Sequence, residues 1–348
     1  MSTRFGLLVL MTLLLGCGPG ERKVIVEEEV PGDLMAELGP EKLSSYGFFD
    51  GPLRDLRPAK NVHFYAINSP LFSDYAFKAR MIRLPEGARM RYHETETFEF
   101  PEGTILIKNF YYPADFGKPD GERRLMETRL LVLRDGEWQP LTYIWNEEQT
   151  EAILEPAGRT LPVSWTEGKG VVRTIDYSVP NLNQCRGCHL KGDRVMPIGP
   201  SARQLNVGSQ LDRWNLEGLV DGMPDVPHIP RLANYEDSRE PLENRARAWL
   251  EINCAHCHRP DGQGKTSGLH LMADVTSPLA LGIGKPPVAA GKGSGGRKYS
   301  IVPGEPDESI LVYRIESTDP GVMMPEMGRR LVHEEGVTLV REWIQSLK

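Results

Sequence analysis

The chain has 348 residues, of which 40% are hydrophobic and 26% charged, a composition typical of a soluble globular protein with two or three domains. Its formal net charge is -7, its pI is near 5.7, and no run of basic residues is present. These values argue against nucleic acid as a partner, whereas an acidic surface favours docking to a basic protein.

Residues 1–16 have the pattern of an export signal. Arg4 supplies a positive charge, and residues 5–15 form an apolar run of 11 residues that is too short to span a bilayer. The run ends in Leu14-Leu15-Gly16-Cys17, which resembles a bacterial lipobox, where cleavage leaves the cysteine as the lipidated first residue. An ordinary signal peptide with an incidental cysteine is the alternative. We predict a lipoprotein signal peptide over residues 1–16 and lipidation at Cys17.

The segment after the signal predicts where the protein resides. Residues 17–44 are rich in Glu, Gly and Pro and have no apolar period, which predicts a flexible tether. Gly18 rather than aspartate follows the cysteine, and the resemblance to Gram-negative lipoproteins implies delivery to the outer membrane. A diacyl anchor would hold stably where a single acyl chain would not. We therefore expect an extracytoplasmic, lipid-anchored protein that faces the periplasm or the outside.

Residues 45–180 alternate between apolar and polar side chains as β-strands do. Asp135-Gly136 separates two such runs and is a strong signal for a hairpin turn. We predict an antiparallel, sandwich-like or barrel-like β domain whose core contains Trp138, Trp145 and Trp165. The predicted strands cover residues 62–67, 78–84, 89–100, 104–112, 124–133, 137–145, 160–165 and 171–177.

Two copies of a C-x-x-C-H pattern follow, at residues 185–189 and 254–258. This is the attachment signature of a c-type haem, because two thiols add to the haem vinyl groups and the histidine binds the iron from the same helical turn. In a zinc ribbon the two C-x-x-C pairs lie about 15–20 residues apart, whereas 65 residues lie between Cys188 and Cys254. We therefore predict two covalent haems c. The thiols are those of Cys185, Cys188, Cys254 and Cys257, and the proximal iron ligands are His189 and His258.

Residues 181–240 form the predicted first haem segment, with a helix near residues 204–219. We predict Met196 as its distal ligand, because methionine ligation is common in cytochromes c. Met196 lies seven residues after His189, and a chain of that length spans at most about 24 Å. The alternatives are Met223, His228, a ligand from the β domain, or a five-coordinate iron.

Residues 241–348 have the layout of a compact cytochrome c domain. A predicted helix over 243–252 leads into the second motif, a Met-Met-Pro loop comes late, and an apolar-faced helix over 334–347 closes the domain. The predicted fold class is therefore β plus α, with the β domain followed by a mainly α-helical cytochrome c region. His256, between the two cysteines of the second motif, is predicted to be a surface residue.

The last hundred residues or so resemble the small class I-like cytochrome c domains found at the ends of many exported bacterial proteins. The resemblance implies that Met324 is the distal ligand of the second haem, with Met323 and Met327 as neighbours that could substitute for it. The shared features, in chain order, are the second C-x-x-C-H motif, Ser267-Gly268-Leu269, Pro303-Gly304, Met324-Pro325 and Trp343-Ile344.

The whole chain resembles a family of exported dihaem c-type cytochromes. Stretches similar to its β-domain motifs also occur beside dehydrogenase-type propellers, which implies a periplasmic dehydrogenase as redox partner. The expected function is electron transfer between extracytoplasmic partners. The alternatives are a peroxidase-like dihaem enzyme with an open iron at the first haem, and a β-domain binding module with ancillary haems. The resemblance lies in residues 70–78, 127–131, 185–189, 197–200 and 245–248.

Overall fold

The computed structural model describes residues 38–348, so the predicted signal peptide, Cys17 and most of the predicted tether lie outside the described residues. A large antiparallel sheet dominates the N-terminal half of this part, and helix accounts for only 25% of it, in seven α-helices. The predicted N-terminal β domain is confirmed. Within the same residues, no helix combines the length and the apolar character needed to cross a bilayer.

The described β domain contains nine strands, and six of them form one open antiparallel sheet in the order β1-β2-β4-β5-β6-β7. The predicted hairpin is confirmed, since β5 and β6 pair on either side of Asp135 and Gly136, whose φ angles are 53° and 73°. The strands are β1 Val62–Phe64, β2 Phe77–Arg83, β3 Met90–Arg91, β4 Ile105–Pro113, β5 Arg123–Arg134, β6 Glu137–Trp145, β7 Ala152–Leu154, β8 Arg159–Thr166 and β9 Val172–Val179.

Two details of the β prediction differ from the structure. The sheet does not close into a barrel: β1 and β7 are its edges, and β8 and β9 form a separate two-stranded ribbon. The predicted strand over residues 89–100 is wrong beyond β3, because the chain turns back on itself. Nδ1 of His93 accepts hydrogen bonds from the backbone N–H groups of Thr95 and Glu96, which satisfies the turn locally.

Both faces of the six-stranded sheet are covered by other parts of the chain. Residues 43–56 pack on one face. On the other face, the β8–β9 ribbon and residues 195–229 of the predicted first haem segment form two further apolar clusters. The predicted core positions are confirmed, since Trp138, Trp145 and Trp165 are 6%, 6% and 2% exposed. Residues 195–229 therefore pack on the sheet and are continuous with the β domain.

The α-helices are short, and all seven described ones lie after residue 181. The predicted helices before and after the second motif are confirmed, and they pack together around Trp249, Val340 and Trp343. The predicted helix over 204–219 is two helices, because Gly208 has a φ of 52° that helical backbone excludes. They are α1 Leu182–His189, α2 Ala202–Leu205, α3 Gln210–Leu216, α4 Leu242–Leu250, α5 Pro278–Leu281, α6 Ile310–Ile315 and α7 Glu334–Ser346.

Three further strands are two residues long and lie in the first haem segment. The hairpin of β10 (Leu190–Lys191) and β11 (Arg194–Val195) directly follows α1. Strand β12 (Val220–Asp221) pairs in parallel with β3. These short pairings fold the segment back against the sheet and fix the position of the first C-x-x-C-H motif.

Candidate functional site

The two C-x-x-C-H motifs are far apart in sequence but in contact in the fold. Sγ of Cys257 lies 3.8 Å from the carbonyl oxygen of Gly187. The first motif lies on α1. The second begins at the end of the π-helical turn Glu251–Ala255 that continues α4, and its Cys257 and His258 lie on the hydrogen-bonded turn that follows. All four motif cysteines are free thiols. Groups attached to the two motifs would therefore be held on adjacent turns of the chain.

The imidazole of His189 is oriented by the hairpin that follows it. The backbone N–H of Met196 donates to the carbonyl of His189 at 2.7 Å, and the carbonyl of Met196 lies 2.9 Å from His189 Nδ1. A carbonyl oxygen can only accept, so Nδ1 carries the proton and Nε2 keeps its lone pair. Metal-binding histidines in proteins generally have this second hydrogen bond, which holds the ring and selects the tautomer.

The imidazole of His258 is oriented in the same way by a different partner. Oγ of Ser267 donates to the carbonyl of Gly264 at 2.7 Å and lies 3.0 Å from His258 Nδ1. Because a hydroxyl has one proton to donate, Oγ accepts from Nδ1–H, and Nε2 of His258 is again free of hydrogen. Gly264 is required here, since a Cβ at that position would lie 2.9 Å from Nδ1.

Two cavities, of about 290 Å³ and 420 Å³, separate the sheet from the motifs. Cys188 and His189 line both of them, as do Lys108 and Arg129 of the sheet and His256 of the second motif. Cys185 lines the smaller cavity. Cys254, Cys257 and His258 line neither of these two, so both cavities lie at the first motif.

The sheet side of these cavities carries a row of cations, Arg80, Lys108 and Arg129, directly opposite one another on β2, β4 and β5. Like charges opposite one another destabilise a sheet. Arg129 pairs with the fully buried Glu127, whereas Nη2 of Arg80 is buried and has no hydrogen-bond partner among the described residues. Burial lowers the pKa of Lys108 well below its usual range. An anionic group in the cavity would relieve this excess of positive charge.

Sequence reasoning missed this row, although a signal for it exists. Lys108 lies within the mostly apolar strand β4, and Arg80 and Arg129 lie opposite it at positions that alternation assigns to the same covered face. A charged residue at such a position is expected to have a partner.

The prediction that His256 is a surface residue is wrong. The residue is half-buried: its Nδ1 is buried and has no hydrogen-bond partner of good geometry within residues 38–348, and its side chain lines both cavities. The reason is the helical spacing of the motif. Cys254 and His258 share one face of the turn, so His256 points the other way, and the first motif and the sheet cover that side.

Burial sets the protonation of the motif side chains. It lowers the pKa of His189, His256 and His258 to about 4, so these rings are neutral near pH 7. It raises the pKa of the thiols, to about 12 for Cys254 and Cys257. The site therefore offers neutral imidazoles, which bind metals through a lone pair, and protonated thiols.

The two methionines predicted as distal ligands both line the cavities, Met324 the smaller one and Met196 the larger. The loop of Met324 is held by the buried Arg329, whose guanidinium donates to the carbonyl of Met324 at 2.9 Å and to that of Ser317 at 2.8 Å. Met327 packs against the first motif, since a Cβ at Gly187 would lie 2.9 Å from its sulfur. This loop therefore lies beside the first motif as well.

Residues 70–78 contribute to the family resemblance, but the sequence assigns them no function. In the structure they join the β domain to the second motif. Asp74 accepts hydrogen bonds from the backbone N–H groups of Arg330 and Leu331 at 2.7 and 2.8 Å. The N–H of Phe72 donates to Oδ1 of Asn253, the residue before Cys254, at 2.9 Å. The segment is thus a structural connection between the sheet and the loops around the motifs.

Replacing Asp74 by alanine is expected to lower the free energy of unfolding by about 1–3 kcal/mol, because two backbone N–H groups lose their acceptor in a buried place. Asp74 is 3% exposed and has a φ of 50°. Asp74→Asn is the matched control, since it keeps an acceptor and tolerates left-handed backbone. Urea unfolding measures the difference, and equal stability of the two variants would contradict the assignment.

Comparison of the chain with family models, with curated proteins and with solved structures finds no match. Within residues 38–348, no group of three or more His, Cys, Asp or Glu side chains is placed to hold a metal ion directly. A haem iron would need fewer protein ligands than a bare metal ion, because the porphyrin supplies four nitrogens and the protein supplies only the remaining ligands.

Proposed function

We propose that this chain is an exported c-type cytochrome that holds two covalent haems and transfers electrons between extracytoplasmic redox partners. The observation that carries the proposal is the contact between two C-x-x-C-H motifs, each with its histidine held in the tautomer that keeps Nε2 available. When bound, haem supplies one-electron chemistry at its iron, and the protein supplies ligands, burial and orientation.

The motif residues have defined roles in this proposal. Cys185 and Cys188 would hold the first haem, and each thiol S–H would add across one vinyl C=C bond, so that a thioether forms and no atom is lost. His189 would bind the iron through Nε2, with its ring held by the carbonyl of Met196. The second motif repeats this scheme with Cys254, Cys257 and His258.

The walls of the two cavities fit a haem at the first motif. A haem has apolar faces and two carboxylates on one edge. Leu130 and Leu131 offer apolar contact in both cavities. The cation row of Arg80, Lys108 and Arg129 would pair with the carboxylates, which would give a partner to the buried Nη2 of Arg80 that has none among the described residues.

At the second motif the order of elements supports a class I-like cytochrome c domain. Helix α4 leads into the motif, the loop of Met324 follows late, and α7 packs back on α4. We propose Met324 as the distal ligand there, with Arg329 holding its loop in place. Thioether ligation raises a haem potential relative to ligation by two imidazoles.

The expected partners follow from charge and from the N-terminal sequence. A net charge of -7 favours a basic redox protein. A periplasmic dehydrogenase is the proposed donor on the strength of the family resemblance. Lipidation at Cys17 and the tether of residues 17–44 would keep the protein at the outer membrane.

The experiment that tests the proposal uses the protein expressed with haem attachment outside the cytoplasm. The pyridine haemochrome is expected to show two haems per chain. Low-temperature EPR is expected to show two low-spin ferric haems, and the ferrous protein should not bind carbon monoxide. Met324→Ala should open one haem to carbon monoxide, whereas Met323→Ala, a buried neighbour 6% exposed, should not. Absence of covalent haem would sink the proposal.

A peroxidase-like enzyme is the second candidate, and the cavity space beside His189 is the observation that favours it, since an open iron needs room for a small substrate. The same measurement separates the two. If one wild-type haem is high-spin and binds carbon monoxide, peroxide turnover becomes the activity to assay. If neither haem binds carbon monoxide, the result supports the electron-transfer function and argues against the peroxidase-like enzyme.

A further inference from the structure

We propose that His256, a residue of the second C-x-x-C-H motif, is the distal ligand of the iron held at the first motif. The inference rests on the proposed function, and it names a ligand that joins the two haem sites. Three observations carry it: the direction in which His256 points, the lack of a partner for its ring, and the position of the competing methionine.

The spacing of the second motif directs His256 toward the first. Residues three and four apart share a helical face, whereas residues two apart do not. Cys254, Cys257 and His258 therefore address one haem, and His256 points away from it. The side to which it points holds the two cavities that Cys188 and His189 of the first motif also line.

The ring of His256 differs from those of the other histidines near the site. Nδ1 of His189 and Nδ1 of His258 each have a hydrogen-bond partner, and Nδ1 of His333 accepts from the indole N–H of Trp249 at 2.9 Å. Nδ1 of His256 is buried and makes no hydrogen bond of good geometry among the described residues, although the backbone of Ile252 lies close enough to raise the pKa of the ring against the effect of burial. An unpaired buried imidazole costs free energy, and iron ligation in the adjoining cavity would use its lone pair.

Met196 is the weaker candidate because of the side of His189 on which it lies. Its backbone carbonyl accepts from Nδ1, and its N–H donates to the carbonyl of His189. Nδ1 and Nε2 lie on opposite sides of the His189 ring, so the backbone of Met196 lies on the side away from the nitrogen that would bind a metal. His256 lines the same cavities as His189 but comes from a different part of the chain, so it would be free to hold the iron together with His189.

The consequence is a difference between the two haems. Two imidazoles at the first iron give a lower potential than histidine and methionine at the second. Electrons would then pass from the first haem to the second, and the ligand His256 is joined to Cys257 by one peptide bond. The first haem is therefore the expected entry point for the donor.

The test compares His256→Ala with Met196→Ala and with the control His270→Ala, all in the matured protein. His256→Ala is expected to retain two haems per chain by pyridine haemochrome, to convert one haem from low-spin to high-spin in the EPR spectrum, and to bind one carbon monoxide per chain. Added imidazole should restore the low-spin signal. The Met196 and His270 variants should bind no carbon monoxide.

The result that overturns the inference is a His256→Ala protein with two low-spin haems that refuse carbon monoxide. The same holds if Met196→Ala or Lys108→Ala, and not His256→Ala, opens one haem. If His256→Ala loses the first haem, His256→Met is tested in its place. A second His–Met charge-transfer band together with a raised haem potential would support ligation by residue 256. An unchanged spectrum would refute it. A wild type with fewer than two haems would instead refute the proposed function.

Discussion

Replacing Cys185 and Cys188 together by alanine is expected to lower the covalent haem content from two per chain to one. Replacing Cys254 and Cys257 together should do the same, because in the proposed function each pair would supply the thiols for one haem only. Pyridine haemochrome absorbance per protein and the intact mass measure the content directly. The two motifs touch but share no thiol, so neither pair can serve both sites.

The two double variants are expected to differ in stability. Loss of the first haem leaves the cavities of about 290 Å³ and 420 Å³ without an occupant and the cation row without an anion. Loss of the second leaves a motif whose cysteines and histidine line neither cavity. We therefore expect the Cys185/Cys188 variant to unfold at the lower temperature. Cys17→Ala is the control, since it should keep two haems and lose only the lipid. A double variant that keeps both haems would contradict the assignment.

Removing the negative charge of Glu127 is expected to destabilise the protein by about 3–5 kcal/mol, the usual cost of leaving one partner of a buried ion pair alone. Glu127 is fully buried, accepts a hydrogen bond from Nε of Arg129 at 2.8 Å, and also accepts from the hydroxyl of Tyr177. Its carboxylate also acts on Lys108, whose pKa it raises against the effect of burial. Glu127→Gln keeps the size of the side chain, so the loss would come from charge.

Two further variants make this measurement specific. Glu137→Gln breaks a surface pair with Arg194, in which both side chains are more than half exposed, and should cost at most about 1 kcal/mol. Tyr177→Phe removes one hydrogen bond to Glu127 and should cost about 1 kcal/mol. Urea unfolding of the loaded proteins gives the three values. Equal costs for the Glu127 and Glu137 variants would show that the buried pair has no special role.

The features that sequence reasoning predicted well depend on neighbours along the chain. The two-residue period of strands β2, β4, β5 and β6, the Asp135-Gly136 hairpin and the helical period of α7 all follow from local geometry. The strand predicted over residues 89–100 failed because alternation persists where His93 hydrogen-bonds a turn. Local pattern could not distinguish a strand from a chain that folds back.

The amino-acid sequence by itself determined which reactive groups lie together, because the spacing of Cys254, Cys257 and His258 places two thiols and an imidazole on one face of a turn. Tertiary structure alone decided what surrounds that chemistry. The row of Arg80, Lys108 and Arg129 exists only through the register of three strands. The cavities that His256 lines are shared with Cys188 and His189, which belong to a motif that 65 residues separate from its own. Both are long-range contacts, which no local period encodes.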